Sequence, residues 1–79
     1  MPSAHEVLNE LKWRDDRDLA SAEIWYTHRG APNDTMIIKG SDIIELQHSF
    51  MKLAEAMIPY HRILKIVYEG NVIWEKMSK

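Results

Sequence analysis

The apolar residues of this chain change their period once, from a helical spacing before Arg14 to a two-residue alternation after Ser21, and that change confines the fold to the α+β class. Ala4, Val7, Leu8 and Leu11 follow the i, i+3, i+4, i+7 rhythm that lays one apolar stripe along a helix. His5, Glu6, Asn9, Glu10 and Lys12 fill the other positions, mostly toward water. Ser3 and Glu6 have the spacing of a capping box, in which each side chain satisfies a free backbone N–H, so a helix is predicted from Ser3 to Trp13. The charged run from Arg14 to Asp18 breaks the rhythm and reads as a solvated connection.

Strands follow. From Ala22 to His28, Ala22, Ile24 and Tyr26 share one face while Glu23, Trp25 and Thr27 share the other. The turn formers from Arg29 to Asp34 make a loop, and Thr35 to Lys39 a second strand closed by Gly40. Ser41-Asp42 can open a helical turn through Leu46 or continue extended, and the residues leave both open. Phe50 to Leu53 returns as a strand, with Ala54-Glu55-Ala56 as its turn. Ile63 to Tyr68 and Val72 to Lys76 flank Glu69-Gly70-Asn71, where Gly70-Asn71 is an accepted hairpin loop that would set Glu69 opposite Val72, Tyr68 opposite Ile73 and Val67 opposite Trp74. In that register Leu64, Ile66, Tyr68 and Ile73 face the core. Ile63, Lys65, Val67, Val72, Trp74 and Lys76 form a mixed face, either half-covered by the helix or free as an aromatic and basic platform.

Pro59 has no N–H to give to a ladder, so regular pairing must stop near it and resume near Ile63. A short turn there, one turn of 3-10 helix, would expose Tyr60, His61 and Arg62 between two rigid strands. The expected architecture is therefore α+β: an N-terminal helix packed on a curved antiparallel sheet of about five strands, which could close as a barrel-like roll. The whole chain, 1–79, reads as one domain.

Composition removes several function classes. With no cysteine, the chain has neither disulfides nor thiolate metal sites. It lacks both an apolar run of membrane length and the opening pattern of a signal peptide, so the cytoplasm is the expected compartment. The formal charge of −2 disfavours coating a long nucleic acid, yet leaves room for a local site that holds one or two phosphates. His5, His28, His48 and His61 show none of the short spacings of a metal site, and Gly30, Gly40 and Gly70 are isolated turn residues, not a phosphate loop. No metal or cofactor is expected. What remains is two pairs, His28-Arg29 and His61-Arg62, each joining a titratable ring to a guanidinium suited to bidentate phosphate binding. Tyr60, Trp13, Trp25 or Trp74 could stack on a base. The plainer alternative pairs Arg29 and Arg62 with Asp15, Asp16, Asp18 or Asp34, and leaves the aromatics in the core.

Five segments carry a resemblance: Val7-Leu8-Asn9-Glu10-Leu11-Lys12-Trp13, His28-Arg29-Gly30-Ala31-Pro32, Gly40-Ser41-Asp42-Ile43, Ile58-Pro59-Tyr60-His61-Arg62-Ile63 and Tyr68-Glu69-Gly70-Asn71-Val72-Ile73-Trp74. In this order, over nearly the whole chain, they resemble a small, mainly archaeal family described as a predicted RNA cyclic-group-end recognition domain. The Ile-Pro-Tyr-His-Arg-Ile string is the most specific of them. Where that family often has Asp-Gly before this string, the present chain has Ala54-Glu55-Ala56. The resemblance implies recognition of RNA ends bearing a 2′,3′-cyclic phosphate, in the company of RNA repair or processing enzymes. Carried over residue by residue, it implies contacts from Arg29, His61 and Arg62, with Lys12 and Trp13 as weaker candidates; Tyr60 joins them on its own chemistry as a stacking ring. The leading expectation is a non-catalytic RNA-end binding module in which Arg62 and Arg29 hold phosphate oxygens and His61 donates a hydrogen bond. One alternative is a cyclic phosphodiesterase in which His61 works with a second titratable group such as His28 or Asp34. Another is a protein-interaction domain using the Trp74 face.

Overall fold

Ser3 Oγ accepts from the Glu6 N–H, and the Glu6 carboxylate accepts from the Ser3 N–H, both at 3.2 Å, so the capping box is closed. In this computed structural model, which describes residues 3–76, helix α1 then runs Ala4–Trp13. Met1 and Pro2, part of the stretch read for a leader, lie outside the described residues. Ala4, Leu8 and Leu11 are buried and Val7 packs at the margin, so the expected stripe is the face that meets the core. The following charged run has local tasks. Arg14 clasps Asp16 through two hydrogen bonds of 2.9 and 3.0 Å and reaches back to Glu10, which holds the Asp16 carboxyl below its usual range. Asp18 caps the next turn at the Ala20 N–H.

The strands are β1 (Ala22–Thr27), β2 (Thr35–Lys39), β3 (Ile43–Leu46), β4 (Phe50–Leu53), β5 (Met57–Pro59), β6 (Ile63–Tyr68) and β7 (Asn71–Glu75). They form two antiparallel sheets, ordered β2-β1-β6-β7 and β3-β4-β5, in place of the single sheet of about five strands expected; among the described residues the strands close no barrel. The physical reason lies in the short 3-10 turns. Gly40–Asp42 redirects the chain from β2 into β3, and Tyr60–Arg62 redirects it from β5 back into β6. A 3-10 turn directs its hydrogen bonds along the chain and so ends lateral pairing wherever it occurs. Ser41-Asp42 thus opens one such turn, and the residues after it are extended. Pro59 closes the edge strand β5, where a missing N–H costs no ladder bond. The Ala54-Glu55-Ala56 turn joins β4 to β5 with a Leu53 N–H to Ala56 carbonyl bond of 2.8 Å.

Two bulges alter the expected faces. Tyr26 pairs with Ile63 and Trp25 with Lys65, so Leu64 is the extra residue, and Ile63 turns into the core in its place. The β6–β7 loop consists of Glu69 and Gly70, with φ of 51° and 83°, and not of Gly70-Asn71. Tyr68 therefore opposes Asn71 and Val67 opposes Val72; a bulge at Ile73 then sets Trp74 opposite Ile66. Trp74 consequently packs against the core on the helix side, so the platform sought around it does not form. The core joins Leu8 and Leu11 of α1 to Ala22, Ile24 and Tyr26 of β1, Ile63 and Ile66 of β6, Met51 of β4 and Ile58 of β5. Among the described residues no helix is long and apolar enough to cross a membrane.

Candidate functional site

The 3-10 turn Tyr60–Arg62 is tied down from three directions. Its backbone enters through a Tyr60 N–H to Ser49 carbonyl bond of 3.3 Å. The Tyr60 hydroxyl donates to the Gln47 carbonyl at 2.6 Å, and its ring stacks on His5 with centroids 4.4 Å apart and planes 11° from parallel. From the other side Lys76 arrives on the end of β7: its N–H binds the Leu64 carbonyl at 2.8 Å and its Nζ donates to the His61 carbonyl at 2.7 Å. His48 meets the edge of His5 at 6.4 Å, so the two histidines belong to one ring cluster with Tyr60.

Burial pushes the Tyr60 phenol up to about 12. Tyrosine in an unfolded chain ionises near pH ~10, so between these values the folded state keeps a proton that the unfolded state has lost. That contribution to stability is whole below pH ~10 and is lost as pH rises through the folded value. Tyr60→Phe should flatten the decline of Tm across this alkaline window, at a neutral-pH cost of about 1 kcal/mol for the lost bond to Gln47. A decline as steep as that of the unaltered protein would remove Tyr60 as its source.

The tied turn walls a cleft of about 240 Å³. Tyr60, Ile63, Trp74 and Ala4 supply apolar walls, while Ser3, His61 and Lys76 supply the polar groups. No carboxylate is among the described lining residues, although the Glu6 carboxylate caps the Ser3 N–H at the start of α1. The site can therefore take a planar apolar group, with Ser3, His61 and Lys76 as the polar residues of its lining.

Of the residues read from the sequence, Tyr60 and His61 line this cleft. Arg62 is exposed on the same turn and is not a lining residue. Arg29 is exposed in the turn after β1; because Tyr26 pairs with Ile63, the end of β1 and the turn before β6 share one end of the sheet. The ion pairs offered as the plainer alternative do not form. Among the described residues neither Arg29 nor Arg62 has a carboxylate partner, and Asp16 is taken by Arg14. Neither His28 nor Asp34 lines the cleft. Lys12 and Trp13 are exposed at the far end of α1, about 12 Å along the axis from His5. Among the described residues no group of three or more His, Asp or Glu is placed to hold a metal ion. Trp74, read as a candidate stacking ring, and Lys76 were expected on the opposite face from Ile66; the Ile73 bulge brings Trp74 to the cleft. The signal that could have found Lys76 is the hairpin itself, which must return the chain to the start of β6.

A small α+β domain with a helix on two antiparallel sheets, and a largely apolar cleft beside the turn between β5 and β6, defines the structural class. The chain belongs to the family described as the MJ1316 RNA cyclic group end recognition domain, which matches residues 1–76. It is 42% identical over 74 residues to a UPF0248 protein of Thermococcus onnurineus, covering 92% of this chain and 84% of that protein. It is 36% identical over 73 residues to UPF0248 protein MmarC7_1289 of Methanococcus maripaludis, covering 90% of this chain and 95% of that one. UPF0248 protein PF1300 of Pyrococcus furiosus is 37% identical over 78 residues, with 98% and 92% covered. No solved structure matches this chain significantly.

Proposed function

We propose that this chain is a non-catalytic module that binds a phosphorylated RNA terminus, with a 2′,3′-cyclic phosphate as its preferred end. The observation that carries the reading is the cleft beside Tyr60–Arg62, with aromatic and aliphatic walls and His61 and Lys76 among its lining residues. The terminal base lies against Trp74 and Tyr60, and the cyclic phosphate takes N–H donors from His61 and Lys76. Arg62 and Arg29, exposed at the same end of the sheet, hold the next phosphate along. Lys12 and Trp13 touch only more distant parts of the strand. A net charge of −2 fits a domain that reads one terminus, since tracking a strand requires many neutralised phosphates. The family description supports the same ligand. A module without chemistry of its own delivers the bound end to an enzyme of RNA repair or processing.

The test follows the ³¹P signals of a short RNA ending in a 2′,3′-cyclic phosphate. The terminal signal should shift on addition of protein while its integral stays constant, and the same RNA with a 3′-hydroxyl end should bind more weakly. Ring opening that His61→Ala abolishes would replace this reading with the phosphodiesterase. Equal affinity for the two ends would remove end recognition.

A further inference from the structure

We propose that the outer face of the four-stranded sheet carries a second nucleotide subsite, for a residue one or two positions in from the RNA end; it rests on the end-binding reading above. The strand registers place Ile37, Trp25, Lys65 and Glu75 in one row across this face, turned away from α1. With Pro32, Asn33 and Leu64 they line a cleft of about 450 Å³, within the size range of small-ligand sites.

Among the described residues, two donors on residues lining this cleft lack acceptors. Trp25 Nε1 is buried with no acceptor among the described residues, an arrangement that ordinarily costs about 1–3 kcal/mol. Lys65 Nζ lies 4.1 Å from the centroid of the Trp25 ring, and among the described residues it has no carboxylate partner, although Glu75 is its register neighbour. The same cleft offers acceptors in Asn33 and Glu75. A lone inorganic anion has no use for Glu75. A nucleotide uses the whole set: phosphate oxygens for Lys65, a ring or carbonyl acceptor for Trp25 Nε1, base amino and ribose hydroxyl groups for Asn33 and Glu75, and Ile37 and Leu64 against the base.

Backbone geometry supports the same place. The loop that supplies Pro32 and Asn33 begins at Arg29 and holds Gly30, Asn33 and Asp34 at φ of 95°, 56° and 53°. Left-handed non-glycine residues are uncommon and gather at ligand-binding segments. Arg29 thereby connects the sheet end beside the terminal cleft with the outer one.

The experiment assigns the indole N–H signals of the protein by Trp25→Phe and Trp74→Phe. It then titrates a nucleoside 2′,3′-cyclic phosphate and a four-nucleotide RNA ending in the same group. The mononucleotide should move the Trp74 signal alone, and the tetranucleotide should move both. Lys65→Met, which keeps an aliphatic stem on Trp25, should weaken the tetranucleotide about fivefold and reduce its log–log salt slope by about 0.7, with mononucleotide affinity unchanged. If the tetranucleotide moves Trp74 but not Trp25, or Lys65→Met changes neither affinity nor slope, the second subsite is wrong and end binding stands. If neither probe binds, both readings fall together.

Discussion

Replacing Gly40 with alanine should lower the unfolding free energy by about 3 kcal/mol or more, a cost on the scale of emptying a core position. A Cβ at this buried position would overlap the Leu19 carbonyl oxygen, a backbone atom that cannot rotate away. The two 3-10 turns, Leu19–Ser21 and Gly40–Asp42, can approach this closely only while residue 40 has no side chain. Domains of this size hold roughly 0.05–0.15 kcal/mol per residue, so the loss would consume much of the total. The urea midpoint should fall sharply with an unchanged m-value. Gly30→Ala and Gly70→Ala provide the contrast: both have positive φ but open space around them, so each should cost only about 1 kcal/mol of backbone strain. Should Gly40→Ala cost no more than those two, contact between the turns would not be what holds the sheets together. The site would feel the change too, because the Gly40 turn feeds the sheet whose neighbouring segment supplies Gln47, His48 and Ser49 behind Tyr60.

Local chemistry made part of this fold legible. The Ser3–Glu6 box and the Ala4, Leu8, Leu11 stripe depend on neighbours three or four residues away, and they stand where the sequence puts them. Pro59 likewise forces its own break, and the turn at Tyr60–Arg62 follows as expected. What sequence could not supply is register. Leu64 and Ile73 look like ordinary alternating strand residues, yet each is the extra residue of a bulge, and each bulge exchanges the faces beyond it. Glu69 is no obvious left-handed residue; Gly70-Asn71 made the better local loop, and pairing across β6 and β7 overrode it. The division into two sheets was hidden for the same reason, since short strands such as Met57–Pro59 acquire meaning only from their partners. The candidate site split along this line. Tyr60 and His61 came from a local break, whereas Trp74 and Lys76 reached the cleft through long-range pairing.

Lys76→Ala and His61→Ala should each weaken binding of a cyclic-phosphate RNA end about 10- to 100-fold, the effect of losing one hydrogen bond to a charged group. Binding of the same RNA with a 3′-hydroxyl end should change by less than about twofold, because the terminal phosphate is what these donors address. Lys76 is exposed and anchored to a carbonyl, so its removal should cost about 1 kcal/mol of stability or less, and the binding loss can be measured on folded protein. Arg62 offers the internal contrast. Outside the cleft, on the same turn, it should hold the strand and not the end, so Arg62→Ala should weaken both RNAs alike and lower the salt slope by about 0.7. Lys12→Ala, at the far end of α1, should leave the preference between ends intact. Equal losses for both ends in Lys76→Ala would make the rim an ordinary phosphate patch. The ratio of the two affinities therefore decides whether the proline-forced turn reads an RNA terminus or merely attracts RNA.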